Sequence, residues 1–239
     1  MRKIFIADAH LRSPEDANYR TLIRFLETLP RDTDTLYLLG DLFEFWIGNP
    51  DPVYDHYREI IDCLRAVRGR GVRIVYFEGN HDFHLAGFFE KQLQAEVHKA
   101  GAVVEIGGQK VYLCHGDQIN SEDYRYRALR LAFHSPLVRA LILIPFCARS
   151  LADHAASTLG RRSSRQHAAR RKRWDYQQIL ETFARGRFAA GCQTVITGHY
   201  HLPIIKRQDG HLFISLGDWI THYSYAQWLD GEFTLESFV

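Results

Sequence analysis

The chain has 239 residues, 46% of them hydrophobic and 24% charged, an ordinary soluble composition with enough apolar content for a sizeable buried core. Thirty Lys and Arg against 28 Asp and Glu leave a formal charge of +2, which excludes a disordered polyelectrolyte and a uniformly basic nucleic-acid coat. Partners must therefore be read from local charge.

In chain order, Met1-Arg2-Lys3 leads directly into a strand-like Ile4-Phe5-Ile6-Ala7, without the apolar stretch and cleavage site of a secretory signal, so the cytoplasm is the expected location. Residues 3–7 and 34–39 are short apolar runs that end at polar residues, separated by Leu22, Ile23, Phe25, Leu26 and Leu29 at helical spacing. The pattern repeats, with Tyr57, Ile60, Ile61 and Leu64 at helical spacing, Gly71 as a stop and a β-rich run at 72–77. Strands alternating with helices predict an α/β sheet. Further β-type runs fall at 102–106, 110–114, 193–197, 203–207, 211–216, 223–229 and 232–238, and the C-terminal group reads as a β-meander.

Between Ser121 and about Arg187 the periodicity is helical. This stretch is read as an insertion, 121–187, into a single domain spanning 1–239. It carries an apolar piece at 129–148 and a basic piece at 161–173. Pro136, Arg139 and Pro145 interrupt the apolar piece, whereas a membrane span needs about 20 predominantly apolar residues; a buried or membrane-surface helix fits better. In the basic piece Arg161, Arg162, Arg165, Arg170, Arg171, Lys172 and Arg173 concentrate seven positive charges. Such a run is ordinarily a solvated helix face, so nucleic acid is a disfavoured partner. Cys63, Cys114, Cys147 and Cys192 are widely scattered, which predicts reduced thiols and neither disulfides nor a structural zinc.

Five polar clusters each follow a predicted strand: Asp8-Ala9-His10, Gly40-Asp41, Gly79-Asn80-His81-Asp82, His115-Gly116-Asp117 and Gly198-His199-Tyr200-His201. One such cluster alone reads as a turn or a cap. Five in the same topological position predict a shared crevice beyond the strand ends, where open α/β sheets bind ligands. Imidazole and carboxylate donors together suit divalent first-row metals such as Mn, Fe, Co or Zn. The candidate donors Asp8, His10, Asp41, Asn80, His115, His199 and His201 are too many for one ion and fit two ions sharing a carboxylate, with Asp41 as the natural bridge. A metal pair holds the attacking and leaving oxygens of an in-line phosphoryl displacement and acidifies water, so phosphoester hydrolysis is the expected reaction.

These motifs, in this order over residues 8–201, resemble those of the calcineurin-type metallophosphoesterase superfamily. The resemblance implies a four-layer α/β/β/α sandwich. It also implies one metal at Asp8, His10, Asp41 and His201 and a second at Asp41, Asn80, His115 and His199. His81 would then stabilise the phosphate or protonate the leaving oxygen, oriented by Glu44.

A narrower resemblance spans nearly the whole chain. The run Leu38 to Gly48, the run Asp123 to Arg130 and Leu216-Gly217-Asp218-Trp219 are similar to the UDP-2,3-diacylglucosamine pyrophosphatases of lipid A synthesis. That family implies hydrolysis of UDP-diacylglucosamine to UMP and a 1-phosphorylated diacylglucosamine with two Mn2+, other divalent first-row ions being the alternative. It also implies a helical lid between the His-Gly-Asp and Gly-His-x-His motifs, where the insertion lies. Carried over residue by residue, substrate contacts fall at Asn80, His81, Asp123 and His199, with Ser164 and Arg171 or Lys172 from the lid. His81 departs from the family, which has Arg at that position. The partner expected is a lipid-linked UDP-sugar, met by a monomer in the cytoplasm, with peripheral contact at the inner membrane left open. A metallophosphoesterase for another nucleotide or lipid-linked phosphoester is the alternative.

Overall fold

The computed structural model describes residues 1–47, 55–133, 135 and 174–239. Ser164, Arg171, Lys172 and the whole basic piece lie outside the described residues, as does the apolar piece beyond Phe133 apart from Ser135.

Six strands form the first sheet: β1 (Arg2–Ile6), β2 (Thr33–Leu38), β4 (Arg73–Phe77), β6 (Glu96–His98), β12 (Ser224–Leu229) and β13 (Glu232–Ser237). Their order is β13-β12-β1-β2-β4-β6, with β1, β2, β4 and β6 parallel and β12 and β13 antiparallel to their neighbours. The second sheet has the order β10-β11-β9-β8-β7 and is built from β7 (Ala102–Ile106), β8 (Gln109–Cys114), β9 (Thr194–Thr197), β10 (Pro203–Gln208) and β11 (His211–Leu216). A two-residue pair, β3 (Trp46–Ile47) with β5 (Asp82–Phe83), completes the strands.

Alternation along the strands builds the layers, because successive side chains point to opposite faces. Phe5, Tyr37, Leu39, Val75 and Phe77 face inward against Val111, Leu113, Ile196, Ile214 and Leu216 of the second sheet. Ile4, Ile6, Leu36, Leu38, Ile74 and Tyr76 face outward, beneath α1 (Ala17–Glu27), α2 (Arg58–Gly69) and α3 (Ala86–Leu93). On the far side Tyr112, Cys114, Val195 and Phe213 pack against Leu180 and Ala184 of α5 (Tyr176–Ala189). Each large apolar side chain buried in these layers contributes about 1.5–3 kcal/mol. The expected α/β/β/α order is thus present. Within the 121–187 stretch the described helices are α4 (Tyr124–Phe133) and α5, and α5 is the outer layer on the second sheet.

The C-terminal β-meander is not what forms. The β10–β11 hairpin joins the second sheet, where β11 runs parallel to β9, and the β12–β13 hairpin returns to the first sheet beside β1. This split buries the apolar faces of both hairpins, Leu212, Ile214 and Leu216 meeting Ala226 and Phe233 across the inter-sheet core.

Candidate active site

The site assembles at the ends of β1, β2, β4, β8 and β9, where the chain turns from buried strand into loop. Asp8, His10, Asp41, His199 and His201 all have positive φ, between 46° and 71°. For residues with a Cβ such backbone costs on the order of 1–3 kcal/mol each and persists only where the surroundings hold it. Here the loops are tied to one another: the Asp8 amide donates to the Gly40 carbonyl at 3.1 Å, that of His10 to Asp41 at 3.0 Å, and that of Gly198 to His115 at 2.7 Å.

Asp82 organises the next layer down. It is fully buried, and its carboxylate accepts from the amides of Gly79 (2.9 Å), Asp41 (3.1 Å) and Leu42 (2.7 Å) and from the Tyr76 hydroxyl. Burial and the neighbouring Asp41 push its carboxyl up to about 7.

The seven expected donors converge, and His/Asp donor atoms fall into two groups within each of which all atoms lie within 4.8 Å of one another: Asp8, His10 and His201, and Asp41, His115 and His199. Asn80 joins the second group, its Oδ1 being 3.2 Å from His115 Nε2. Asp41 stands between them, with Oδ2 3.8 Å from His10 Nε2 and 3.4 Å from His115 Nε2. Its other oxygen accepts from the amides of Asn80 (2.8 Å) and His81 (2.9 Å), which fixes the carboxylate plane. Asp8 Oδ2 accepts from the His199 amide at 2.7 Å.

The remaining atoms test whether cations fit. Asp8 Oδ1 and His10 Nε2 are buried and carry no hydrogen bond, and leaving such atoms unsatisfied is costly. Both belong to the first donor group. His115 Nδ1 donates to the Leu39 carbonyl at 2.8 Å, which fixes the ring with Nε2 facing the oxygens of Asp41 and Asn80. Electrostatics agree. Burial pushes the Asp8 carboxyl up to about 6 against the pull of His201, whereas Asp41 stays well below the usual range because His115 and His81 outweigh its burial. Burial, with His81 alongside, drives His10 well below its ordinary value and keeps it neutral. The His115 imidazole is held up to about 10, since Asp41 outweighs desolvation. Two buried carboxylates among four imidazoles, with no thiolate, make a donor set for divalent first-row cations.

His81 lies outside both of these groups but forms a third with His10 and Glu44, their donor atoms again within 4.8 Å of one another, and its ring is 4.7 Å from that of His10. Its Nδ1 donates to the Glu44 main-chain carbonyl at 2.6 Å. The orientation expected from the Glu44 side chain thus comes from its backbone. The Glu44 carboxylate instead approaches His10 Nδ1 at 3.7 Å and pairs with Arg12 at 3.1 Å. Asp123 accepts from the Tyr126 amide at 3.1 Å, in the first turn of α4.

Asp218 went unassigned in the sequence. Its carboxylate faces His201 Nδ1 at 3.5 Å and accepts from the amides of Ile220 (2.8 Å) and Thr221 (2.6 Å). Despite desolvation, these partners hold it far below the usual carboxylate range. A carboxylate behind a ligating imidazole orients the ring and raises its basicity. The signal was present: Gly217-Asp218 follows β11 as Gly40-Asp41 follows β2.

A model of calcineurin-like phosphoesterases matches residues 1–203. The UDP-2,3-diacylglucosamine hydrolase of Aeromonas salmonicida is 35% identical, over 99% of this chain and 93% of its own. That of Escherichia coli is 33% identical over 95% of each chain, and that of Haemophilus influenzae 30% over 96% of each. Among solved structures, an archaeal phosphodiesterase (TM-score 0.50, 14% identity, 99% of each chain) and the Escherichia coli phosphoesterase Yfce (TM-score 0.50, 15% identity, 99% of this chain and 93% of that one) share the fold. The motifs, the layered sheets and the matched length agree, and the chain belongs to the calcineurin-like phosphoesterase family.

Proposed function

We propose that the protein hydrolyses the pyrophosphate of UDP-2,3-diacylglucosamine to UMP and 2,3-diacylglucosamine 1-phosphate, supported by two Mn2+. The observation that carries the chemistry is the pair of buried donor groups with Asp41 between them. The substrate is carried by full-length relatives that bear the name UDP-2,3-diacylglucosamine hydrolase.

Asp8, His10, Asp41 and His201 would hold one ion, and Asp41, Asn80, His115 and His199 the other. When bound, such ions neutralise phosphate charge and lower the pKa of water. The chain's own contribution begins with geometry: the tied loops keep all seven donors in place before substrate arrives, so no reorganisation is spent during reaction. His81, with Nδ1 committed to the Glu44 carbonyl, keeps Nε2 for the phosphate oxygens or the departing oxygen. Asn80 and His199 would touch substrate from the second group, and Asp123 from the start of α4. The part of the 121–187 stretch ahead of α5 would serve as the acyl-binding lid, with Ser164 and Arg171 or Lys172 among the substrate contacts. Among the described residues no helix is long and apolar enough to cross a membrane. We read the protein as a cytoplasmic monomer that meets its lipid substrate peripherally at the inner membrane.

A second reading draws on His81, which stands where the resembled pyrophosphatases carry Arg: another nucleotide or lipid-linked phosphoester as substrate. Mn2+-supported hydrolysis of UDP-2,3-diacylglucosamine, a deacylated UDP-sugar and an aryl phosphodiester, measured in parallel, separates the two. Turnover confined to the acylated substrate is expected. Turnover of the aryl ester alone would overturn the substrate while keeping the metal chemistry.

A further inference from the structure

One buried ion pair beside the site has no part in the donor groups. Asp117, two residues beyond His115, is 6% exposed. Its Oδ2 accepts from the Tyr126 hydroxyl and from Arg130 Nη1, and the Arg130 side chain is itself only 12% exposed. Arg130 also donates to the Gly79 carbonyl at 3.4 Å, immediately before Asn80, and to the Lys99 carbonyl at 2.9 Å. Tyr126 and Arg130 are four residues apart on α4 and so share one face. The Tyr126 ring lies 6.4 Å from that of His199.

This one helix face therefore meets the loop that carries Asn80, the loop that carries His115, and the His199 ring. Those three residues, with Asp41, are the second donor group. A buried ion pair contributes little net stability compared with apolar packing, and its best-attested use is to set register. Here the register is that of three loops beyond the ends of β4, β8 and β9, of which the last two are joined by the Gly198 amide donating to the His115 carbonyl at 2.7 Å; the α4 face sets the Asn80 loop against them.

We propose that Asp117, Tyr126 and Arg130 form a positioning node for the second metal group, by which α4 holds the Asn80, His115 and His199 loops at the separation where their donor atoms share one ion. The inference rests on the two-metal reading above. None of the three residues is placed on the reacting atoms. They act through the backbone of Gly79, the loop after His115 and the His199 ring.

The test is calorimetric titration of the metal-stripped full chain with Mn2+, alongside kcat and KM, for the wild type, Arg130→Lys, Tyr126→Phe and, as a counterpart on the first group, Asp218→Asn. Tyr126→Phe keeps the ring and removes only the hydroxyl, so it preserves the test if Arg130→Lys fails to fold. The wild type is expected to take up two equivalents. Arg130→Lys and Tyr126→Phe should each weaken one equivalent by about 10–100-fold and leave the other unchanged, as loss of an outer-shell partner does. Their kcat should fall at limiting Mn2+ and recover at high Mn2+ with KM unaltered, a rescue that a merely structural role would not give. Asp218→Asn should weaken the other equivalent. Two equivalents of wild-type affinity in both node variants, or parallel loss of both, would overturn the node. Fewer than two equivalents in the wild type would overturn the two-metal reading itself, whatever the variants do.

Discussion

His10 and His81 have rings 4.7 Å apart in a T-shaped contact, and their second nitrogens decide their roles. His81 spends Nδ1 on a carbonyl. His10 leaves Nε2 buried between Asp8 and Asp41. His81→Ala is therefore expected to bind metal normally and to lose kcat by about 10²–10⁴-fold, the usual range for a proton-transfer group; metal content and steady-state kinetics of the same preparation check this. An equal loss of metal would place His81 among the ligands. Asp218→Asn should keep the fold and weaken metal binding by about 10–100-fold, because His201 loses the carboxylate that orients its ring. At this scale the convergence of the seven side chains was legible, since each ends a strand-like run with a residue type that metals bind. The part played by Glu44 was not, because a backbone carbonyl leaves no trace in residue identity. Asp218 was readable only by noticing a second Gly-Asp after a strand.

The loops set how much side chain the site tolerates. A Cβ on Gly79 would lie 2.1 Å from Asp41 Oδ1 and 2.7 Å from the Asp41 amide nitrogen, neither of which can yield without moving Asp41. Gly79→Ala is expected to abolish metal-supported turnover. Gly69→Ala, at the end of α2 with nothing within 4 Å, is the matched control and should leave turnover intact while gaining about 0.5–1 kcal/mol of stability. Measured turnover in Gly79→Ala near the wild-type value would contradict the packing of Asp41. Most elements were visible in the sequence because apolar runs and helical spacing are local signals. The allocation of the C-terminal hairpins between two sheets was not, since Leu212 to Leu216 and Ala226 to Phe233 carry the same alternation whichever sheet they join. Glu96–His98, a three-residue edge strand, is too short to show a period at all.

At the scale of the molecule, protons and cations compete for one buried cluster. The His115 imidazole is held up to about 10 against an ordinary 6.5, and Asp82 up to about 7 against 3.8. Each folded-state value lies above the unfolded one, so over the intervening range the folded chain holds protons that the unfolded chain has shed. The stability they contribute, complete at lower pH, is lost as pH rises through the folded values. Metal-stripped protein should therefore melt at progressively lower temperature from pH 7 toward pH 10. Loaded protein should not follow that decline, because a cation replaces the proton and adds about 2.7 kcal/mol at a hundredfold excess over its dissociation constant. Thermal melts with and without chelator across that range check the difference; identical slopes would contradict a site that trades protons for metal.

Two cations, held by two donor groups on either side of Asp41, would together perform one hydrolysis. The most direct measurement is turnover of UDP-2,3-diacylglucosamine against bound Mn2+ in protein first stripped by chelation. No turnover is expected in the stripped protein, little at one equivalent and full activity as the second equivalent binds. Full activity at one equivalent, or turnover that survives stripping, would contradict the two-metal reading.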